Sequence, residues 1–586
     1  MTAPPSNSGI TLQSVPKVYH QEQDKARLPQ QTVDWARGRF AGLGSEVLQG
    51  TLRIDTGRLD IPVYLSLCGQ AASALTNTKK QMGKGASPVQ AEASALMELA
   101  ERYSFFHFMR ATAFPWLTPG QVPEPRLDFA QVAKSVYHPT DDLERSRQVY
   151  ELLPQTWTWL KNLTAGRDEM VPLGWFFAIN EYNGPAAGNC LEEAVLQSLC
   201  EVVERHVSAV VTLEERPTPA IDPASIDDAV ARELMEKFQR AGVEVYIKDF
   251  TCDMGIPSVA ALCWDPSTFP QKSEIVYAAG TATSPAKALI RALTEVAQLA
   301  GDFHTGSNYK VSALPKFADM EQAAYVTRAA GSVPMSFLPD VSAEDFKVEV
   351  QNCVAALAQR GLSVLTLNVT HPCLRVPAVY TVIPGAHFAY RTTGTDVFFH
   401  AAKLASQLAR PEAALEVLSA MARAVADHGV YYLHFFRALA FIGLERSQEA
   451  LEELDCALVL NPPSKDEASI HTQRGVVLKD LGRFDEAKLA LMRAADFPEP
   501  HSEVFNLLGF CHYALKEHEE SIQAFSRAIE LEPGLGINYA NIGSNLREMG
   551  KAHEACAMYE HALGLDPSLD FARENLQKLK DQGKGL

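Results

Sequence analysis

The sequence has no Cys-x-x-Cys pair and no tight His/Cys spacing among its 10 cysteines and 16 histidines. That excludes the usual zinc frameworks and a disulfide scaffold, and it leaves scattered, reduced thiols. No apolar run approaches the roughly 20 residues a membrane-spanning helix needs. Met1 to Ile10, rich in Pro and Ser, shows no basic-then-apolar leader. A soluble, cytoplasmic protein with no membrane partner is the expectation. Basic charge is also scarce: 53 Lys and Arg against 71 Asp and Glu give a net charge of -18, which argues against a nucleic-acid partner. Neither a phosphate-loop signature, a kinase signature nor a Ser/His/Asp set is visible, so no catalytic side chain is assigned.

What is present is core material for two or more domains: 586 residues, 47% hydrophobic and 21% charged. Within it, Glu-x-x-Glu-Arg occurs twice, at Glu98 to Arg102 and at Glu201 to Arg205, and Arg291, Glu295 and Gln298 form a related set. Residues three or four apart share a helix face, so Glu98 meets Glu101 and Glu201 meets Glu204. Like charges there repel, and the cost grows when they are desolvated. The flanking sequences, Ala93 to Leu99 and Ala194 to Val203, are apolar around most of the helix circumference, which places the carboxylates inside. With Glu193 there are six carboxylates, Glu98, Glu101, Glu193, Glu201, Glu204 and Glu295, against Arg102, Arg205 and Arg291. The excess negative charge suits hard divalent cations bound through oxygen, and Mg2+ commonly brings phosphate with it. One such motif alone reads as a structural ion pair between packed helices; three related helices favour a site.

From about residue 411 the sequence becomes a helical repeat with a register close to 34 residues. Small residues recur at Ala438, Gly475, Gly509 and Gly543, and again at Ala450, Ala487, Ser521 and Ala555. Large ones follow at Leu454, Leu491, Phe525 and Tyr559, and alanines at 457, 494, 528 and 562. Small positions let paired helices approach while the aromatics fill the gaps, and Pro462, Pro533 and Pro567 end the second helices. This pattern resembles the tetratricopeptide repeat. Four repeats are expected over roughly 431–569, with extra residues near Ser464 to Glu467 and a cap helix from Leu569 to Lys580. Upstream, Val243 to Ile247, Ser258 to Leu262 and Val376 to Ile383 read as strands among helices. Pro115 to Pro172, with its Pro, Trp and charge clusters, reads as a surface excursion.

Gly83-Lys84-Gly85 leads to Ser94-x-x-x-Glu98-x-x-Glu101-Arg102. Asn183 to Asn189 then leads to Glu192-Glu193 and Glu201-x-x-Glu204-Arg205, and Arg291-x-x-x-Glu295-x-x-Gln298 follows. This order resembles the YcaO family. The resemblance implies an α+β ATP-binding domain over 1–400 with its core at about 60–395, a connecting helix over 401–430, and an all-α solenoid of repeats over 431–586. It implies ATP and Mg2+ as cofactors: Glu98, Glu101, Glu201, Glu204 and Glu295 would coordinate the metal, and Ser94, Asn189, Glu193, Arg205, Arg291 and Gln298 would contact nucleotide. Lys25 and Arg27, in the stretch from Asp24 to Thr32, would reach the phosphates. His371-Pro372 to Ile383-Pro384-Gly385 resembles the family's late strand and turn.

The activity implied is ATP-dependent activation of a peptide backbone amide, giving azoline rings or thioamides. The sequence ends in Asp581 to Leu586, where ring-forming members carry a Pro-rich tail. The expected partners are a peptide or protein substrate and a protein that recruits it or delivers sulfur, both through the repeats, with a homodimer as a candidate assembly. The alternative is an ATP-binding accessory factor, as in methylthiolation of a ribosomal protein, acting through its repeats.

Overall fold

The computed structural model describes residues 7–136, 142–180, 182–306, 314–388, 395–425, 429–498 and 500–583; part of the Met1 to Ile10 segment and the last three residues lie outside these. The chain divides into two compact units, Met1–Leu143 with Pro154–Val397, and Glu144–Leu153 with Phe398–Leu586.

The first unit is built on three sheets. A three-stranded antiparallel meander runs through Leu48–Arg53, Val63–Cys68 and Lys80–Lys84, the last of which we call β1. A five-stranded sheet has the order Val276–Thr281, Ser258–Trp264, Glu244–Asp249, Ala220–Ile221, Ser332–Val333. A six-stranded sheet runs Trp116–Leu117, Gln155–Asn162, Leu365–Asn368, Ala378–Val382, Pro185–Ala187, with Arg167–Pro172 hairpinned onto Gln155–Asn162. Three helices carry the carboxylate motifs: α1 (Pro88–Ala111), α2 (Leu191–Leu213) and α3 (Pro285–Ala300). Pro in the first turn of α1 and α3 starts each helix where a missing N–H is harmless, and Gly301 in the left-handed region (φ 51°) ends α3. Buried residues cover most sides of α2, as its apolar run predicts.

The three expected strands are present. The Pro115 to Pro172 stretch is not a surface excursion: Gln155–Asn162 and Arg167–Pro172 form a hairpin whose Trp157, Leu160 and Val171 are almost wholly buried. Its charged Arg167 and Glu169 pair with each other, which accounts for the buried Glu169 carboxylate in a core hairpin. At the late turn, Gly385 takes φ +95°, a conformation that favours glycine.

Across 401–430, where one connecting helix is expected, the chain forms Val397–Ser406 and Pro411–Ala424. Four helix pairs follow: 431–443 with 447–459, 464–480 with 484–495, 502–514 with 518–531, and 536–548 with 552–565. A final helix spans Asp570–Gly583. The extra residues at 464–467 lengthen the first helix of the second pair by about a turn. The repeat glycines meet the large residues of their partner helices, as the packing argument requires: a Cβ on Gly509 would come within 2.9 Å of the Phe525 ring, and one on Gly543 within 3.1 Å of the Tyr559 ring. Among the described residues no helix is long and apolar enough to cross a membrane.

Candidate functional site

β1 lies directly on α1. A Cβ on Gly83 would stand 2.0 Å from the Ala95 backbone nitrogen, and one on Gly85 would stand 2.7 Å from that of Ala91, so only glycine permits this contact. Side chains alternate along a strand, which turns Lys84 away from α1 and toward α3. There its ammonium pairs with Glu295.

α1, α2, α3 and β1 enclose a cavity of about 120 Å3, closed on another side by the N-terminal segment. Ser94, Asn189, Glu193, Arg291 and Lys25 line it, as do Glu98 and Glu101. Glu201, Glu204 and Glu295 are not among the lining residues and are each paired with a basic side chain. Arg102 Nε is 3.0 Å from Glu98 and 3.3 Å from Glu101. Arg205 is 3.7 Å from Glu201 and 3.8 Å from Glu204, and Arg291 Nη2 is 3.5 Å from Glu204. The Thr281 backbone N–H also donates to Glu204 at 3.1 Å. Arg205 and Gln298 are not among the lining residues, and Arg27 stacks on the Trp35 ring at 4.1 Å instead of entering the cavity.

The N-terminal segment joins the site through a chain of polar contacts. Lys25 Nζ lies 3.4 Å from Glu193, and the Ala26 N–H donates to the same carboxylate at 2.9 Å. The Asn189 amide donates to Glu193 at 3.1 Å, and Thr32 donates to Asn189 at 2.9 Å. Glu22, buried at the start of α1, accepts from the Ala86 and Ser87 N–H groups and from the Ser87 hydroxyl. Sequence reasoning gave no role to Glu22, Gln197 or Lys84. Glu22 and Gln197 sit in no motif, whereas Lys84, the basic residue between two glycines, did carry a signal.

The charges are under strain. Burial, and then the neighbouring Glu98, push the Glu101 carboxyl well above its ordinary range. Burial also raises Glu201, with Glu98 and Glu204 adding to the effect against Arg205 and Arg102. On the cationic side, burial and then Arg291 bring the Lys84 ammonium down to about 7. Glu101 Oε1, Arg205 Nε and Arg291 Nε are buried without a hydrogen-bond partner. Among the described residues, no three His, Cys, Asp or Glu side chains are drawn together closely enough to grip a metal ion as they stand; each carboxylate leans on a basic neighbour. A site with both an unsatisfied carboxylate oxygen and unsatisfied guanidinium N–H groups suits a ligand of both signs, and a divalent cation with phosphate is such a ligand. The donor set therefore fits Mg2+ with a nucleotide.

Residues 82–387 match the family model described as YcaO cyclodehydratase, ATP- and Mg2+-binding. Residues 468–499, 502–535 and 538–569 match tetratricopeptide-repeat models. An uncharacterized protein of Methanothermobacter thermautotrophicus is 30% identical over 353 residues, 56% of this chain and 86% of its own length. An uncharacterized protein encoded in the tfuA 3' region of Rhizobium leguminosarum bv. trifolii is 30% identical over 221 residues, 35% of this chain and 51% of its own. Among solved structures, a heterocyclase in complex with substrate and cofactor aligns with a TM-score of 0.54 at 24% identity, covering 65% of this chain and 54% of that one. This chain thus spans about half the length of the Rhizobium protein and of the heterocyclase.

Proposed function

From the premise that the chain belongs to the YcaO family, which binds ATP and Mg2+, we propose that it activates a backbone amide of a peptide or protein, leading to a thioamide or an azoline. In this reading Glu98, Glu101, Glu201, Glu204 and Glu295 hold the metal, while Ser94, Asn189, Glu193, Lys25, Arg205, Arg291 and Gln298 hold the nucleotide. Bound there, Mg-ATP supplies the phosphoryl group that converts the amide oxygen, once a thiol, hydroxyl or sulfide has added to the carbonyl carbon, into a leaving phosphate. The chain's own residues supply position and charge. Arg291, on the cavity wall, and Arg205, outside the lining, each offer the anionic ligand an Nε–H that no protein acceptor satisfies. Glu193 fixes Lys25, and Thr32 orients Asn189. Phosphoryl transfer asks for little beyond positioning and charge neutralisation. Tetratricopeptide repeats act in protein–protein contact, and we assign the array the recruitment of the substrate or of a sulfur-delivering protein.

The observation that carries this reading is the coexistence, at and just behind one cavity, of crowded buried carboxylates and of two buried guanidinium Nε atoms, on Arg205 and Arg291, without a hydrogen-bond partner. Glu98→Ala and Glu201→Ala should each abolish Mg2+-dependent ATP binding and turnover, measured by calorimetry and phosphate release. Variants that bind and hydrolyse ATP as the wild type does would refute the site. Mass analysis of peptides captured by the full chain separates the products: loss of water marks a ring, exchange of oxygen for sulfur a thioamide. ATP binding without partner-stimulated turnover would favour the accessory-factor reading.

A further inference from the structure

Lys84 is a cation set among the residues assigned to the metal. It comes from β1, lines the cavity and pairs with Glu295 on α3, and the charges that act on it include Glu98 and Glu204 as well as Arg291 and Arg205. Its side chain keeps 22% of its surface exposed, which the cavity accounts for. An ammonium in that position satisfies a carboxylate that a divalent cation would otherwise claim. The two arginines whose charge acts on it, Arg291 and Arg205, each carry an Nε without a hydrogen-bond partner, which suits a phosphate.

We propose that Lys84 is a positioning residue that exchanges between Glu295 and the nucleotide phosphates, so that it competes with the metal for Glu295 and favours loading of nucleotide before metal. The proposal rests on the Mg-ATP reading above. Its logic is linkage: a ligand shifts an equilibrium only by its differential affinity for the two arrangements. A divalent cation must displace the ammonium from Glu295 and is penalised. A triphosphate attracts the same ammonium, is favoured by it, and in drawing it away frees Glu295 for the metal. Lys84 thereby couples the two ligands positively. A merely structural ion pair tying β1 to α3 would change stability, yet it would not move the two affinities in opposite directions.

The test uses the full chain and two probes measured separately: Mn2+ alone, followed by paramagnetic resonance, and the non-hydrolysable analogue AMPPCP with chelator present, followed by calorimetry. Lys84→Met should bind Mn2+ about tenfold more tightly and metal-free AMPPCP about tenfold more weakly, each a change of about 1.4 kcal/mol. Lys84→Arg, which keeps the charge, should stay near wild type for AMPPCP. The Mn2+ gain should vanish when Glu295→Gln is added to Lys84→Met, because the contested carboxylate is then gone. Thermal melting checks folding; should the methionine variant not fold, Lys84→Gln serves in its place. Shifts in the same direction, or no shift, overturn the proposal while the Mg-ATP reading stands. A wild-type chain that fails to bind AMPPCP even with Mg2+ overturns both.

Discussion

Glu101 sits on α1 between Glu98 and Arg102, buried, with one carboxylate oxygen lacking a hydrogen bond. Removing its charge leaves Arg102 paired with Glu98 at 3.0 Å, so the substitution orphans no buried cation. Glu101→Gln should therefore stabilise the chain in the absence of nucleotide, by on the order of 1 kcal/mol. The same variant should lose Mg2+-dependent nucleotide binding. Differential scanning calorimetry with and without Mg-AMPPCP checks both halves, and a variant destabilised without ligand would show that Glu101 is a structural ion-pair member. The opposed signs separate a functional carboxylate from a structural one, because strain at a binding site is relieved by the ligand rather than by the fold.

At the scale of elements, the site depends on β1 lying against α1. Gly83→Ala would push a Cβ to 2.0 Å from the Ala95 nitrogen and 2.4 Å from the Ala91 carbonyl, both backbone atoms that cannot step aside. Gly543→Ala in the repeats meets the Tyr559 ring at 3.1 Å, a side-chain rather than a backbone contact that needs a shift of only a few tenths of an ångström, and it gains helix propensity. The first should cost roughly 3 kcal/mol or more and the second stay within about 1 kcal/mol, read from thermal midpoints of the full chain. Equal losses would mean that the β1–α1 contact yields.

The same elements mark what the sequence could reveal. Helices α1, α2 and α3 were legible because charge interrupts a long apolar pattern at helical spacing, and the repeats because small and large residues recur in register. The hairpin of Gln155–Asn162 with Arg167–Pro172 was not legible. Its buried positions include Gln155, Thr158, Asn162 and Glu169, polar groups that imitate a loop, and the side chains of the first two find no hydrogen-bond partner. Asn162 donates to Glu169 at 3.1 Å and Arg167 pairs with it, contacts that no hydropathy pattern encodes. Arg27 shows a contact its sequence position does not encode: it lies on the face of Trp35 and outside the cavity lining.

For the whole molecule, the two compact units carry separate cores. One cluster gathers Phe238, Val259, Leu289 and Leu293 in the first unit, and another gathers Leu454, Val477, Leu491 and Leu508 in the second. The helix pairs of the second unit pack mainly on their neighbours, so its stability is close to a sum of repeat and interface terms. The proposed nucleotide contacts all come from the first unit. A ligand that binds only the folded form of one unit stabilises that unit by mass action, by about 2.7 kcal/mol at a hundredfold excess over Kd, and adds nothing directly to a unit that it does not touch. Calorimetry of the full chain should thus resolve two unfolding transitions, with Mg-AMPPCP raising the midpoint of one and leaving the other unchanged. The responsive transition should be the one that Gly83→Ala lowers, and the silent one should be that lowered by substitutions in the repeats. A single transition that moves as a whole would instead mean that the repeats and the nucleotide site unfold as one cooperative unit, and recruitment through the repeats would then be felt directly at the cavity.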